Sequence, residues 1–205
     1  KFAQNVLGRF ETLTGGVSEA EKRTLKSLVE WGQTHWSAHL QDIHANLRIP
    51  GQMSYNRKDL ARDASVFIVG ESHPSLTALL HLLSALAAGT GVAIACTSQE
   101  SYAHWKGLCE LAWQNGFAKG NLEVYLAGKT ELNEILQNSQ ISTLYISGGL
   151  QFRNEILAGA LPAESLKHHM RALLHDGEHP PLNQWGPWVD QYLLVRSFAV
   201  NTMRH

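Results

Sequence analysis

The spacing of apolar residues changes character part way along the chain. Across residues 18–47, Leu25, Leu28, Val29, Trp36, Leu40, Ile43 and Leu47 recur every three or four positions, which is the one-sided stripe of an amphipathic helix. Ser18 followed by Glu21 predicts a capping box at its start, each group satisfying an orphan backbone donor of the other. Gly32 is a point where this stretch can divide into two helices, and Pro50-Gly51 breaks the chain. From residue 66 onward, short apolar runs alternate with helical stretches. Strands are predicted over 66–69, 92–96, 122–126, 143–147 and 171–175, and helices over 75–88, 99–115, 131–137 and 151–157. Brief runs without polar alternation imply strands covered on both faces. Their alternation with helices implies a parallel sheet joined by right-handed crossovers. Gly116, Gly128, Gly148 and Gly149 fall at element ends, where a positive φ is often needed.

The closing stretch, 191–202, is different. Its β-branched and aromatic residues follow a near two-residue period, with Arg196 and Ser197 at its middle. It predicts a strand that leaves the sheet as an arm, preceded by a loop holding Trp185, Pro187 and Trp188. The expected organisation is an N-terminal helical segment (1–50), an α/β domain with a parallel sheet of about five strands (51–185) and a C-terminal β-arm (186–205).

Composition narrows the function classes. At 205 residues the chain is long enough for a real core, and its formal charge of −1 argues for neither nucleic acid nor a membrane surface. Two cysteines, Cys96 and Cys109, make no disulfide framework and no zinc set, as expected of a reducing cytoplasm. The longest apolar stretch, 76–88, is interrupted by His81 and Ser84 and is far short of the ~20 residues that a span requires. The N-terminal residues carry no apolar signal region. A first residue that is not methionine and an abrupt C-terminus are read as a segment of a longer protein.

Candidate chemistry is sparse. A dinucleotide site wants several glycines at a helix N-terminus. The first strand is instead followed by Gly70-Glu71-Ser72-His73-Pro74, with one glycine and a carboxylate that repels phosphate. Ser147, Gly148 and Gly149 are the weak alternative, because a tight turn there can admit a phosphate. His35 and His39 share a helix face at a spacing that can chelate zinc, and His44 follows them. No glutamate stands between them as a zinc-protease motif demands, so a solvated face explains them more simply. Trp31, Trp36, Trp105 and Trp113 are expected in packing. Trp185 and Trp188, large amphipathic residues beside a proline, are expected as contacts for another domain or subunit.

Two resemblances give these patterns a family. Ala87-Ala88-Gly89-Thr90 and the strand after it resemble the "ALAAGN" and "TVVLKPSE" stretch of aldehyde dehydrogenases, whose strand lysine holds the cofactor ribose. That lysine position falls on or near Ala95. Ile146-Ser147-Gly148-Gly149 stands at the family's "FTGS" turn, and Leu173 to Glu178 at its "LELGGK". The resemblance implies a Rossmann-like cofactor domain in which the general-base glutamate has become Leu174 and the catalytic cysteine lies beyond this chain. A narrower likeness covers Pro50-Gly51-Gln52 with Asn56, and Val195 to Thr202. Those residues resemble "PGPTGERN" and "ERSLSVNTAAAGGN" near the C-terminus of long proline utilisation A flavoenzymes.

That family joins proline dehydrogenase to glutamate-semialdehyde dehydrogenase and uses FAD and NAD. Its C-terminal domain of this type is regarded as non-catalytic, serving oligomer contacts and closure of the channelling cavity. The resemblance therefore implies no cofactor and no catalytic residue in this segment. It implies contacts through Trp185, Trp188, Arg196, Ser197, Asn201 and Thr202 to the catalytic domains of the same polypeptide or to a second subunit. The parent is expected in the cytoplasm, with peripheral membrane attachment left open. The alternative is a nucleotide-binding or regulatory module that keeps a live dinucleotide site.

Overall fold

A computed structural model describes residues 1–10, 13, 16, 18–39, 52–59, 64–136, 141–160, 171–174, 182 and 185–201. Two helices open the chain, α1 (Phe2–Gly8) and α2 (Glu19–His39). Strand β1 (Gln52–Asp59) follows, and then the alternating series begins with β2 (Ala64–Val69), α3 (Leu76–Ala87), β3 (Val92–Cys96) and α4 (Gln99–Gln114). It continues through a 3-10 turn into β4 (Leu122–Leu126), α5 (Lys129–Leu136), β5 (Ile141–Ser147), α6 (Leu150–Ala160) and β6 (Arg171–Leu174). Helix α7 (Trp185–Asp190) and strand β7 (Leu194–Asn201) close the described chain.

The five strands β2 to β6 form one parallel sheet in the order β4-β3-β2-β5-β6. This is the expected α/β architecture, and β3 and β4 have the expected limits. Alternate residues of β2 feed different cores. Phe67 and Val69 join the larger cluster with Leu79, Trp105, Tyr145 and Trp188, while Val66 and Ile68 join the smaller one with Leu132, Leu144 and Ile146. Helices α1, α2, α3, α4 and α7 thus supply one face, and α5 and α6 supply the other. Helix α3 is buried along its whole middle, from Ala78 to Ala85, so its polar groups need internal partners. The Ser84 hydroxyl donates to the Leu80 carbonyl at 2.6 Å, and His81 Nδ1 lies 2.8 Å from the Tyr192 hydroxyl.

The helix starts follow the sequence. The Glu21 amide donates to Ser18 Oγ at 3.2 Å while the Ser18 amide donates to the Glu21 carboxylate at 2.9 Å, which completes the capping box. Ser75 and Ser98 accept from the amides of Ala78 and Ser101 in the same manner. After α3, Gly89 takes φ +76 and the Thr90 amide bonds back to the Ala85 carbonyl at 3.1 Å, a left-handed stop that favours glycine. Gly116 and Gly148 also take positive φ, whereas Gly128 and Gly149 do not.

Several expectations are corrected. Helix α2 runs unbroken through Gly32 to His39; residues 40–47 lie outside the described residues. Strand β1 was not foreseen. It pairs antiparallel with β7 from Gln52↔Asn201 to Asp59↔Leu194, so the predicted arm is half of a two-stranded ribbon. The arm also does not begin at 186. Residues 185–190 are helical, and Pro187 is accommodated because the first-turn amides need no intrahelical acceptor.

Helix α7 is fastened by an aromatic cage. The His81 ring, fully buried, lies 4.4 Å from Tyr145, 5.0 Å from Trp188 and 5.9 Å from Tyr192 between ring centroids. Sheet, central helix and C-terminal segment meet there. Tyr192→Phe removes the hydroxyl that pairs with the imidazole and is expected to cost about 1–2 kcal/mol. Trp188→Ala empties a fully buried site and is expected to cost about 3–5 kcal/mol. Urea unfolding measures both, and a loss below a few tenths of a kcal/mol for either would show that the cage does not secure α7.

Candidate functional site

In a sheet of this topology, ligands bind where the strand order reverses, outside the carboxyl ends of the strands. Here that point lies between β2 and β5. The chain leaves β2 through Gly70-Glu71 and leaves β5 through Ser147-Gly148-Gly149 into α6. The two exits are tied together: the Gly70 amide donates to the Ser147 carbonyl at 2.8 Å, and the Ser147 hydroxyl donates to the Glu71 carboxylate at 2.8 Å. Ser147 is fully buried.

The ring of Phe152, in the first turn of α6, lies over both glycines. A Cβ added at Gly70 meets Phe152 Cε1 at 2.8 Å, and one at Gly148, whose φ is +150, meets Cδ1 at 2.5 Å. The residues are therefore glycine because a ring presses on their backbone. A bound pyrophosphate needs those same surfaces with no anion facing it. With Glu71 and Phe152 in place, the crevice does not fit that group. Ala95, on or near which the resemblance sets the ribose-binding lysine, is buried inside β3.

Above the crevice, the rings of His73 and His104 meet at 4.0 Å between centroids, and His104 Nδ1 is 2.9 Å from the Glu100 carbonyl. Among the described residues, no group of three or more His, Cys, Asp or Glu side chains could hold a metal ion. His35 is exposed and stacks beside Trp31 at 6.3 Å, and His39 is the last residue of α2. His44 lies outside the described residues.

A nucleophile is the next requirement. Cys96 ends β3 and Cys109 sits within α4, both buried. Burial pushes the Cys96 thiol up to about 11 and the Cys109 thiol up to about 12. A thiol acts as a nucleophile through its thiolate, so both are held in the unreactive form at neutral pH. Leu174 ends β6 and has no proton-accepting group.

The expected contact residues divide into two groups. Trp185 and Trp188 are 2% and 1% exposed. They pack within this chain's own core, and their indoles leave no face for a partner, which corrects the expectation for them. Trp105 and Trp113 serve packing as expected, with the Trp113 indole N–H donating to the Leu122 carbonyl at 3.0 Å. Arg196, Ser197 and Asn201 lie on β7 opposite Arg57, Asn56 and Gln52; Thr202 lies outside the described residues. Sequence reasoning missed Phe152. The available signal was a bulky aromatic in the first turn of a helix whose preceding glycines would otherwise face a ligand.

No protein-family model matches the sequence, and no curated protein matches it. Solved structures do. Betaine aldehyde dehydrogenase of Staphylococcus aureus, solved with NAD+, superposes with a TM-score of 0.62 at 17% identity over 84% of this chain. An aldehyde dehydrogenase of Brucella melitensis biovar abortus gives 0.64 at 17% identity over 85% of this chain. A 3,6-anhydro-L-galactose dehydrogenase gives 0.60 at 19% identity over 85%. The match spans only 35%, 37% and 37% of those three chains, respectively. Among the described residues, no helix is long and apolar enough to cross a membrane. At these identities the likeness speaks for architecture alone: the chain has an α/β fold similar to part of these dehydrogenases.

Proposed function

We propose that this chain is a non-catalytic, cofactor-free module of a longer enzyme, the C-terminal domain of a bifunctional proline dehydrogenase and L-glutamate γ-semialdehyde dehydrogenase. Its role is to support assembly and to close the cavity through which the semialdehyde passes, in proline catabolism to glutamate. The observation that carries the reading is the burial of both thiols in an aldehyde-dehydrogenase-like fold. Aldehyde oxidation needs a thiolate to form a thiohemiacetal and a carboxylate to activate water for thioester hydrolysis. This chain offers a protonated core thiol and Leu174. FAD and NAD belong to the catalytic domains of the parent, which is placed in the cytoplasm.

The β1–β7 ribbon supports the assembly role. Two strands alone are marginal in water, and among the described residues this ribbon pairs only with itself along its eight-residue register. Such a ribbon gains stability by lying against a partner, either the catalytic domains of the same polypeptide or a second subunit, with Arg196, Ser197, Asn201 and Thr202 as the contact set. The competing reading, a live nucleotide site, draws on the Gly148-Gly149 turn at the start of α6 and is opposed by Glu71 and Phe152.

Arg196→Ala with Ser197→Ala in the parent enzyme is expected to lengthen severalfold the lag before NADH forms from proline, while oxidation of added semialdehyde keeps its rate. An unchanged lag would overturn the assembly role. The segment alone is expected to form no NADH from semialdehyde and NAD.

The thiols give a separate expectation. Folding raises them above the ~8.5 of an exposed cysteine, so the protonated form stabilises the fold fully below about pH 8.5. That contribution drains away as pH rises toward 11 and 12. Ellman's reagent at pH 8 is expected to titrate neither cysteine in the native protein and both in urea. Rapid native labelling would contradict the burial argument.

A further inference from the structure

We infer that Phe152, Gly70 and Gly148 are a matched set that plugs the switch-point crevice, and that this plug, rimmed by the Glu71–Ser147 pair, is what excludes a dinucleotide diphosphate from the module. The inference rests on the cofactor-free reading above and adds its physical cause. Two glycines at the ends of neighbouring strands ordinarily let a ligand approach the backbone. Here one phenyl ring fills both approaches, with Cβ positions at 2.8 Å and 2.5 Å from its carbons. The ring comes from α6, the helix that follows the β5 exit, so it stands where a phosphate would meet the first amides of that helix. The Ser147 hydroxyl, a donor that could serve a phosphate oxygen, is spent on the Glu71 carboxylate at 2.8 Å. The carboxylate thus takes the anion's hydrogen bond and also repels a second anion. Steric filling and like charge act at one place, and each belongs to a single replaceable side chain.

The test has two arms. In the first, Gly70→Ala is expected to lower the melting temperature in the wild-type background, because its methyl collides with the ring. In a Phe152→Ala background the same change is expected to be nearly neutral. Equal losses in both backgrounds would show that the ring is not what the glycine accommodates. In the second, thermal unfolding is followed with millimolar NAD or inorganic pyrophosphate. The wild type and Glu71→Gln are expected to show no shift, and Phe152→Ala with Glu71→Gln a rise of several degrees with both probes. A shift in the wild type would overturn the plug and the cofactor-free reading together. A double variant that stays blind would overturn the plug alone and leave that reading standing. Phe152→Val carries the same expectations if the alanine variant loses its cooperative transition.

Discussion

Burial of the parallel sheet on both faces is the constraint from which most of this molecule follows. A parallel ladder with crossover helices has no face to spare for water. Strand β2, at the centre, therefore presents Phe67 and Val69 to one core and Val66 and Ile68 to the other. The thicker layer needs more than the crossover helices, and α1, α2 and α7 complete it. That is why α3 is apolar on all sides and why its histidine and serine are satisfied from within, by Tyr192 and by the helix's own backbone. The C-terminal segment is thus part of the core, and the ribbon beyond it starts from a fixed point.

At the crevice, fold and lining point in different directions. Strand order, the exits from β2 and β5, and the Gly148-Gly149 turn all keep the layout of a nucleotide site. The side chains facing that layout are a carboxylate and a phenyl ring. The cysteines tell the same story from the core: small, buried and protonated, they behave as packing residues. Architecture is spread over dozens of apolar contacts, whereas chemistry rests on a handful of side chains, so the second is the easier to lose.

Legibility in the sequence tracked how local each feature is. The strands β2 to β6 are short apolar runs bounded by turn residues, and β3 and β4 match them residue for residue. The Ser18 cap was visible because the cap and its partner Glu21 are three residues apart. Strand β1 was not visible: QMSYNRKD has only two apolar residues, Met53 and Tyr55, and it pairs with a segment far along the chain. The tryptophans of α7 were misjudged because composition shows that a residue is large and amphipathic, and only the fold shows what covers it. At the crevice, Glu71 could be read as hostile to phosphate. The position of the Phe152 ring needed α6 in place.

The β1–β7 ribbon joins a strand near the beginning of the described chain to one at its end, with the entire five-stranded sheet between them. During synthesis β1 emerges early and has no partner until β7 follows. The parallel sheet can collapse around β2 in the meantime, since its strands and helices are close in sequence. Ribbon closure waits for β7 and is slow by its large sequence separation. Pairing of the ribbon thus requires that every strand of the sheet has already been made.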